Sequence, residues 1–159
     1  MEVVFQPIGV IHSPFTRLED MPIQPSSETS SPGVIEVFPE FSDGLKDLEG
    51  FSHIYILYHL HRMTTSNLTV IPFLDDSPHG VFATRAPSRP NPIGLSLVEL
   101  VRVESNTLHV NHVDVLDNTP LLDIKPYVPQ FEEATNVRIG WLEKTKSRIK
   151  VQKSDDRFK

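Results

Sequence analysis

The chain has no cysteine, a single tryptophan and only 7 glycines in 159 residues. Without cysteine there can be no disulfide, no thiolate metal site and no cysteine nucleophile. No run approaches the roughly 18 apolar residues that a membrane-spanning helix needs, and the first residues lack a basic segment followed by an apolar one. The expectation is a soluble, cytoplasmic protein. A glycine-rich phosphate cradle, a dinucleotide-binding fingerprint and a serine elbow are also missing. Positive charge is scarce as well: the net charge of −6 argues against a protein that grips nucleic acid with its whole surface. Its distribution is uneven, because residues 144–159 carry seven basic and two acidic side chains, leaving −11 on residues 1–143. Such a basic tail can touch a phosphate backbone or be a solvated end.

Proline is plentiful, at 14 residues. Three of them, Pro87, Pro90 and Pro92, fall in the stretch Gly80-Val-Phe-Ala-Thr-Arg-Ala-Pro-Ser-Arg-Pro-Asn-Pro-Ile-Gly-Leu95. Each fixes φ and removes an amide donor, which predicts a stiff extended loop in place of a central strand or helix. Extended runs at Gly80 to Thr84 and Leu95 to Val103 would clamp it in a sheet. The loop carries Arg85, Arg89 and Asn91, and a guanidinium fork on a rigid loop suits a carboxylate or a phosphate. Two plainer readings compete: a surface loop solvated by its arginines, and a proline-rich ligand, Pro87-Ser-Arg-Pro90, for an aromatic groove.

Along the chain, Val3 to His12 reads as a strand with a bend, and residues 17–33 as a long loop. Val34 to Phe38 is a short strand. Pro39 opens a predicted helix with Phe41, Leu45 and Leu48 on one face, closed by Gly50. Ser52 to His61 is the strongest strand: Ile54, Ile56, Tyr58 and Leu60 lie on one face, with His53, Tyr55, Leu57, His59 and His61 on the other. Leu68 to Leu74 is apolar but interrupted by Pro72. Leu95 to Val103 carries apolar residues on both faces and is expected to be mostly buried. A turn at Glu104-Ser-Asn106 leads to Thr107–Leu116, where a shift of apolar parity places a β-bulge near Asn111-His112. Leu121 to Tyr127 returns as a strand that Pro126 and Pro129 would limit to a sheet edge. Thr135 to Lys150 has helical character anchored by Trp141. Short strands at regular spacing predict a mainly β domain, a barrel with a few short helices, over residues 1–140, followed by a basic helix or tail at 141–159.

Two enzymatic readings fit the side chains. In one, the arginines and the Asp/Asn turns hold a small zwitterion. In the other, His59 and His61 bind a metal with His79 or Asp75, although a His-x-His pair still requires a third ligand.

The proline loop resembles the signature of the TsaA/TrmO-like family of S-adenosylmethionine-dependent tRNA methyltransferases. Further blocks are similar in the family's order: Pro7-Ile-Gly9, Ser13-Pro-Phe15, Ile35-Glu-Val-Phe-Pro-Glu-Phe41, Gly50-Phe-Ser-His53, and Leu116-Asp…Thr-Pro…Leu-Asp-Ile-Lys-Pro-Tyr127. The resemblance implies a single-sheeted β-barrel, a homodimer, S-adenosyl-L-methionine as cofactor, and methylation of the exocyclic N6 of threonylcarbamoyladenosine beside the tRNA anticodon. It implies a donor site at Pro22, Ile23, Gln24, His61, Arg62, Arg85, Leu95, Asp117, Asn118, Thr119 and Pro120. Asp114, Asp117 and His61 are the candidate catalytic bases, and Arg89, Asn91, Asp123, Lys125 and Tyr127, with the basic tail, the candidate substrate contacts. A non-catalytic donor- or RNA-binding module is the alternative of a different class. The chain departs from the family pattern at Asn118, where glycine is usual, and asparagine tolerates the positive φ such a turn requires. It also has fewer residues after the barrel than the family's bacterial members.

Overall fold

The computed structural model describes residues 1–21 and 31–145. Eight strands are found among them: β1 (Gly9–His12), β2 (Gly33–Val37), β3 (His53–His59), β4 (Thr69–Val70), β5 (His79–Gly80), β6 (Ile93–Glu104), β7 (Thr107–Asn111) and β8 (Thr119–Pro126). Six close into an antiparallel barrel in the order β1-β2-β7-β6-β3-β8, while β4 and β5 form a separate two-stranded ribbon. The expected mainly β barrel is therefore the fold.

Strand periodicity explains the interior. From β3, Ile54, Ile56 and Tyr58 point inward and meet Ser96, Val98 and Leu100 of β6, Ile11 of β1, Ile35 and Val37 of β2, Leu108 and Val110 of β7 and Leu121 of β8; all are buried. Each such aliphatic side chain contributes about 1.5–3 kcal/mol when removed from water. Strand β3 pairs with β6 along its whole length and with β8 on its other side, so it is the best-connected wall of the barrel. Opposite Tyr58 stands Gly94, where an added Cβ would lie 2.1 Å from the ring atom Cε2 of Tyr58. Glycine is needed there because the tyrosine ring occupies the space.

Several elements differ from the sequence expectations. The strand expected over Val3–His12 is confined to Gly9–His12, with Val3, Val4 and Phe5 exposed. The helix expected after Pro39 is two 3-10 segments, Pro39–Leu45 and Leu48–Gly50, separated where Asp47 turns left-handed at φ 66°. Within Leu68–Leu74 only Thr69–Val70 is strand, and Val81–Ala83 is a 3-10 turn in place of an extended run. Strand β6 is not buried on both faces: Leu95 is 46% exposed and Val101 is also open, because the barrel has one interior and, among the described residues, no layer covers its outer face there. The register shift falls in β6, between Leu100 and Arg102. The parity change at Asn111-His112 arises because β7 ends and His112 turns left-handed at φ 65°. Strand β8 is no edge, since closure pairs it with both β1 and β3, and its prolines lie near its ends. The helix expected at Thr135–Lys150 is a 3-10 segment over Gly140–Thr145, and the rest of that expectation, from residue 146 on, falls outside the described residues.

Candidate active site

At one mouth of the barrel lies a cavity of about 460 Å³. Its walls come from segments apart in sequence: Tyr58, Leu60, His61 and Arg62 at the end of β3, Pro72 to Leu74 after β4, Thr84 to Pro87 of the proline loop, and Asp114 to Leu116 with Thr119 between β7 and the start of β8. Leu18 and Met21 form part of the rim, and Trp141 and Leu142 close another side. The segment expected as a tail thus begins as cavity wall.

The proline loop is rigid for reasons beyond its prolines. Ser88 is buried; its hydroxyl donates to the Thr65 carbonyl at 3.2 Å and accepts from the Asn67 amide group at 3.0 Å. Thr84 donates to the Val81 carbonyl at 2.8 Å and accepts the Ala86 N–H. Val81 and Ala86 pack with Val70 into a small apolar core beside the barrel. Arg89 turns back, its Nη1 donating to the carbonyls of Thr84 and Ala86 at 3.2 and 3.4 Å. Arg85 lines the cavity. The two guanidiniums therefore differ in placement: one braces the loop while the other faces the cavity.

Two polar side chains of the cavity's inner wall, Tyr58 and Asp114, meet a third, Ser96, buried behind them. Tyr58 Oη lies 2.9 Å from Ser96 Oγ, and Ser96 Oγ donates to Asp114 Oδ1 at 2.5 Å. Burial pushes the Asp114 carboxyl up to about 6, against smaller downward effects from the Ser96 hydrogen bond and the Arg85 charge. Burial also pushes the Tyr58 hydroxyl up, reinforced by the negative charge of Asp114. His61 is shifted down, first by burial and then by the neighbouring Arg62 charge, which favours a neutral imidazole.

His61, Arg62, Arg85 and Thr119 of the expected donor set come together on the cavity. Pro22, Ile23 and Gln24 lie outside the described residues, as does the basic tail from residue 146. Asp117 and Asn118 form the adjoining turn: Asp117 accepts the Ser13 N–H at 3.1 Å and the Asn118 amide at 2.9 Å, and Asn118 holds φ 60°. Pro120 pairs with Val10 beside that turn. Leu95 stands on the outer barrel wall, away from the cavity. Among the substrate candidates, Asn91 is exposed beside β6, Lys125 pairs with Asp123 at 2.8 Å, and Tyr127 meets the ring of Tyr55 edge-on at 5.8 Å.

The metal reading finds no cluster to rest on. Among the described residues no group of three or more His, Cys, Asp or Glu side chains is arranged to hold an ion. His79 and Asp75 bond to each other at 2.8 Å, and His79 stacks on Trp141 with centroids 4.5 Å apart.

Sequence reasoning missed Tyr58, Ser96 and Trp141. Tyr58 counted only as one of an apolar row, and Ser96 stood as the lone hydroxyl among inward positions of β6, the signal that could have marked it.

The geometry fits a ligand with a carboxylate and an apolar chain, because the walls are mostly aliphatic and aromatic with a few fixed polar groups. Comparison with known proteins agrees with that character. Residues 10–133 match the tRNA-methyltransferase O N-terminal domain. A probable S-adenosyl-L-methionine-binding protein of Pyrococcus abyssi is 55% identical over 98% of this chain and 85% of its own. The human tRNA (adenine(37)-N6)-methyltransferase is 34% identical over 83% of this chain but only 32% of its own length. The crystal structure of TrmO from Pseudomonas aeruginosa superposes with a TM-score of 0.74 at 37% identity, covering 89% of this chain and 63% of that one. This chain thus spans less than two thirds of those last two proteins. With the matching domain and the superposing barrel in agreement, the chain belongs to the tRNA-methyltransferase O N-terminal domain family.

Proposed function

We propose that this protein is an S-adenosyl-L-methionine-dependent methyltransferase that acts on the exocyclic N6 of threonylcarbamoyladenosine next to the tRNA anticodon. The observation that carries the reading is the cavity itself: an apolar recess at the barrel mouth with Arg85 on one wall and the buried Asp114 on another. The donor is consumed in the reaction and is therefore a substrate. Its methylene chain suits Leu60, Leu116 and Trp141, its carboxylate suits Arg85, and its cationic sulfur suits a site near carboxylate and carbonyl oxygens. Pro22, Ile23 and Gln24 and the Asp117 to Pro120 turn belong to the same donor site in this reading. Methyl transfer is an in-line displacement, so these residues contribute mainly by holding donor and acceptor in one geometry.

Arg89, Asn91, Asp123, Lys125, Tyr127 and the basic tail supply the contacts to tRNA. A homodimer is part of the proposal. Leu95 lies on the outer wall, so a second copy of the chain is what would bring that side chain to a bound donor. The cytoplasmic assignment follows from the tRNA substrate; among the described residues no helix is long and apolar enough to cross a membrane.

A binding module without catalysis is the second reading, favoured by the Pyrococcus abyssi relative being named for binding alone. Transfer of labelled methyl to tRNA carrying the threonylcarbamoyl group separates the two: incorporation is expected, and donor binding without incorporation would leave only the module. In calorimetry, Arg85→Ala is expected to weaken donor affinity by about ten-fold or more, the scale of one charge-assisted hydrogen bond. Unchanged affinity would remove Arg85 from the site.

A further inference from the structure

We infer that Asp114 is the proton acceptor of the methyl transfer, held in position by Ser96 within a buried Tyr58-Ser96-Asp114 chain. This rests on the methyltransferase reading above and deepens it, since that reading leaves the base unassigned.

The three candidate bases differ in placement. Asp117 does not line the cavity, and its oxygens are taken up by the Ser13 N–H and the Asn118 amide. His61 lines the cavity but hangs from the turn after β3, where its backbone N–H donates to the His59 carbonyl and, among the described residues, no side-chain partner fixes the ring. Asp114 lines the cavity and is fixed from behind. Ser96, 2% exposed, donates to its Oδ1, and Ser96 is itself held by Tyr58 across the paired strands β3 and β6. A buried carboxylate with a donor fixing one oxygen is pre-organised, and burial raises its proton affinity toward working pH.

The chemistry requires such a group. The acceptor nitrogen is conjugated to a carbonyl and a purine, so it is a weak nucleophile that must lose its proton as it attacks. The nitrogen lone pair forms the new bond to the methyl carbon, the carbon–sulfur bond breaks with its electron pair going to sulfur, and the N–H proton passes to the Asp114 carboxylate. The products are the methylated nitrogen, a neutral thioether and a carboxylic acid that returns its proton to water.

Among the described residues, the other charged or titratable groups on the cavity are Tyr58 and His61 from β3 and its end, Arg62 beside them, and Arg85 from the proline loop. Tyr58 is shifted upward, away from the working range, by burial and by the charge of Asp114. His61 is thus the group whose titration must be told apart from that of Asp114.

The test is a pH profile of single-turnover methyl transfer to threonylcarbamoyl-bearing tRNA, with donor affinity measured alongside by calorimetry. The wild-type rate is expected to rise with pH through a midpoint near the Asp114 value of about 6. Ser96→Ala removes the hydrogen bond that favours the carboxylate and is expected to move that midpoint upward, while His61→Gln leaves it in place whatever it does to the plateau. Asp114→Asn is expected to lose on the order of 100-fold or more in rate at donor concentrations that saturate the variant. A midpoint that disappears with His61→Gln, or an Asp114→Asn rate within about three-fold of wild type, overturns the assignment. If Asp114→Asn does not fold, the Ser96 and His61 profiles decide it. A wild type that transfers methyl while indifferent to Asp114 overturns this inference alone, whereas a wild type that transfers none overturns the proposed function with it.

Discussion

Two single positions connect the fold to the cavity. The first is Gly94, whose missing side chain leaves room for the Tyr58 ring. Gly94→Ala forces that ring to shift and strains its contact with Ser96. Overpacking of this kind costs typically about 1–3 kcal/mol, so a clear drop in the urea midpoint is expected, and an unchanged midpoint would show that the ring yields freely. The second is Asp114. Its folded-state value of about 6 stands above the ordinary 3.8, so the folded protein binds this proton more tightly than the unfolded chain does. The stability from that proton is fully present below the unfolded value and is lost as pH rises through about 6. Wild type is thus expected to gain stability relative to Asp114→Asn on acidification from pH 7.5 to 4, by at most about 3 kcal/mol. Parallel melting curves for both proteins across that range would contradict the burial assigned to the carboxyl.

The proline loop and the segment Gly140–Thr145 form a unit at the scale of elements. Trp141 Nε1 donates to the Ala83 carbonyl at 2.9 Å while its ring stacks on His79. The loop that presents Arg85 is therefore fastened from outside the barrel as well as from within. Trp141→Ala is expected to weaken donor binding by about ten-fold through lost contact and lost order, with a smaller effect on global melting, since the ring lies outside the main core. Equal affinity in the variant would make this segment a bystander. The prolines made the loop's stiffness legible in the sequence, because φ restriction is a property of single residues, while the extended run expected before it gave way to the 3-10 turn Val81–Ala83. The roles of Arg85 and Arg89 were not separable, since a guanidinium's partner depends on where a bent chain places its own carbonyls. The 3-10 segments were misread for a related reason: the apolar spacing of Phe41, Leu45 and Leu48 suits either helix type, and Asp47 turned left-handed without a glycine to announce it.

For the molecule as a whole, alternation along β3 showed that strand and its inward face, apolar residues on both faces of β6 hid its open side, and the ordered family blocks implied a barrel. Closure was not readable locally. Strand β8 looked like an edge because of its prolines, yet Pro120 and Pro126 sit near its ends, where the barrel accepts them while β1 and β3 pair on either side. The cavity was hidden for the same reason: its walls are brought together only by that closure, from segments as far apart as Leu18 and Trp141. Expected donor residues such as His61, Arg62, Arg85 and Thr119 converge on it, while Leu95 stands on the outer wall, away from it. The most direct measurement is a crystal structure of the protein soaked with S-adenosyl-L-methionine. Density for the donor is expected in the recess between Tyr58 and the proline loop, its carboxylate on Arg85. A donor bound elsewhere, or an Arg85 side chain directed into solvent beside an empty recess, would contradict the account.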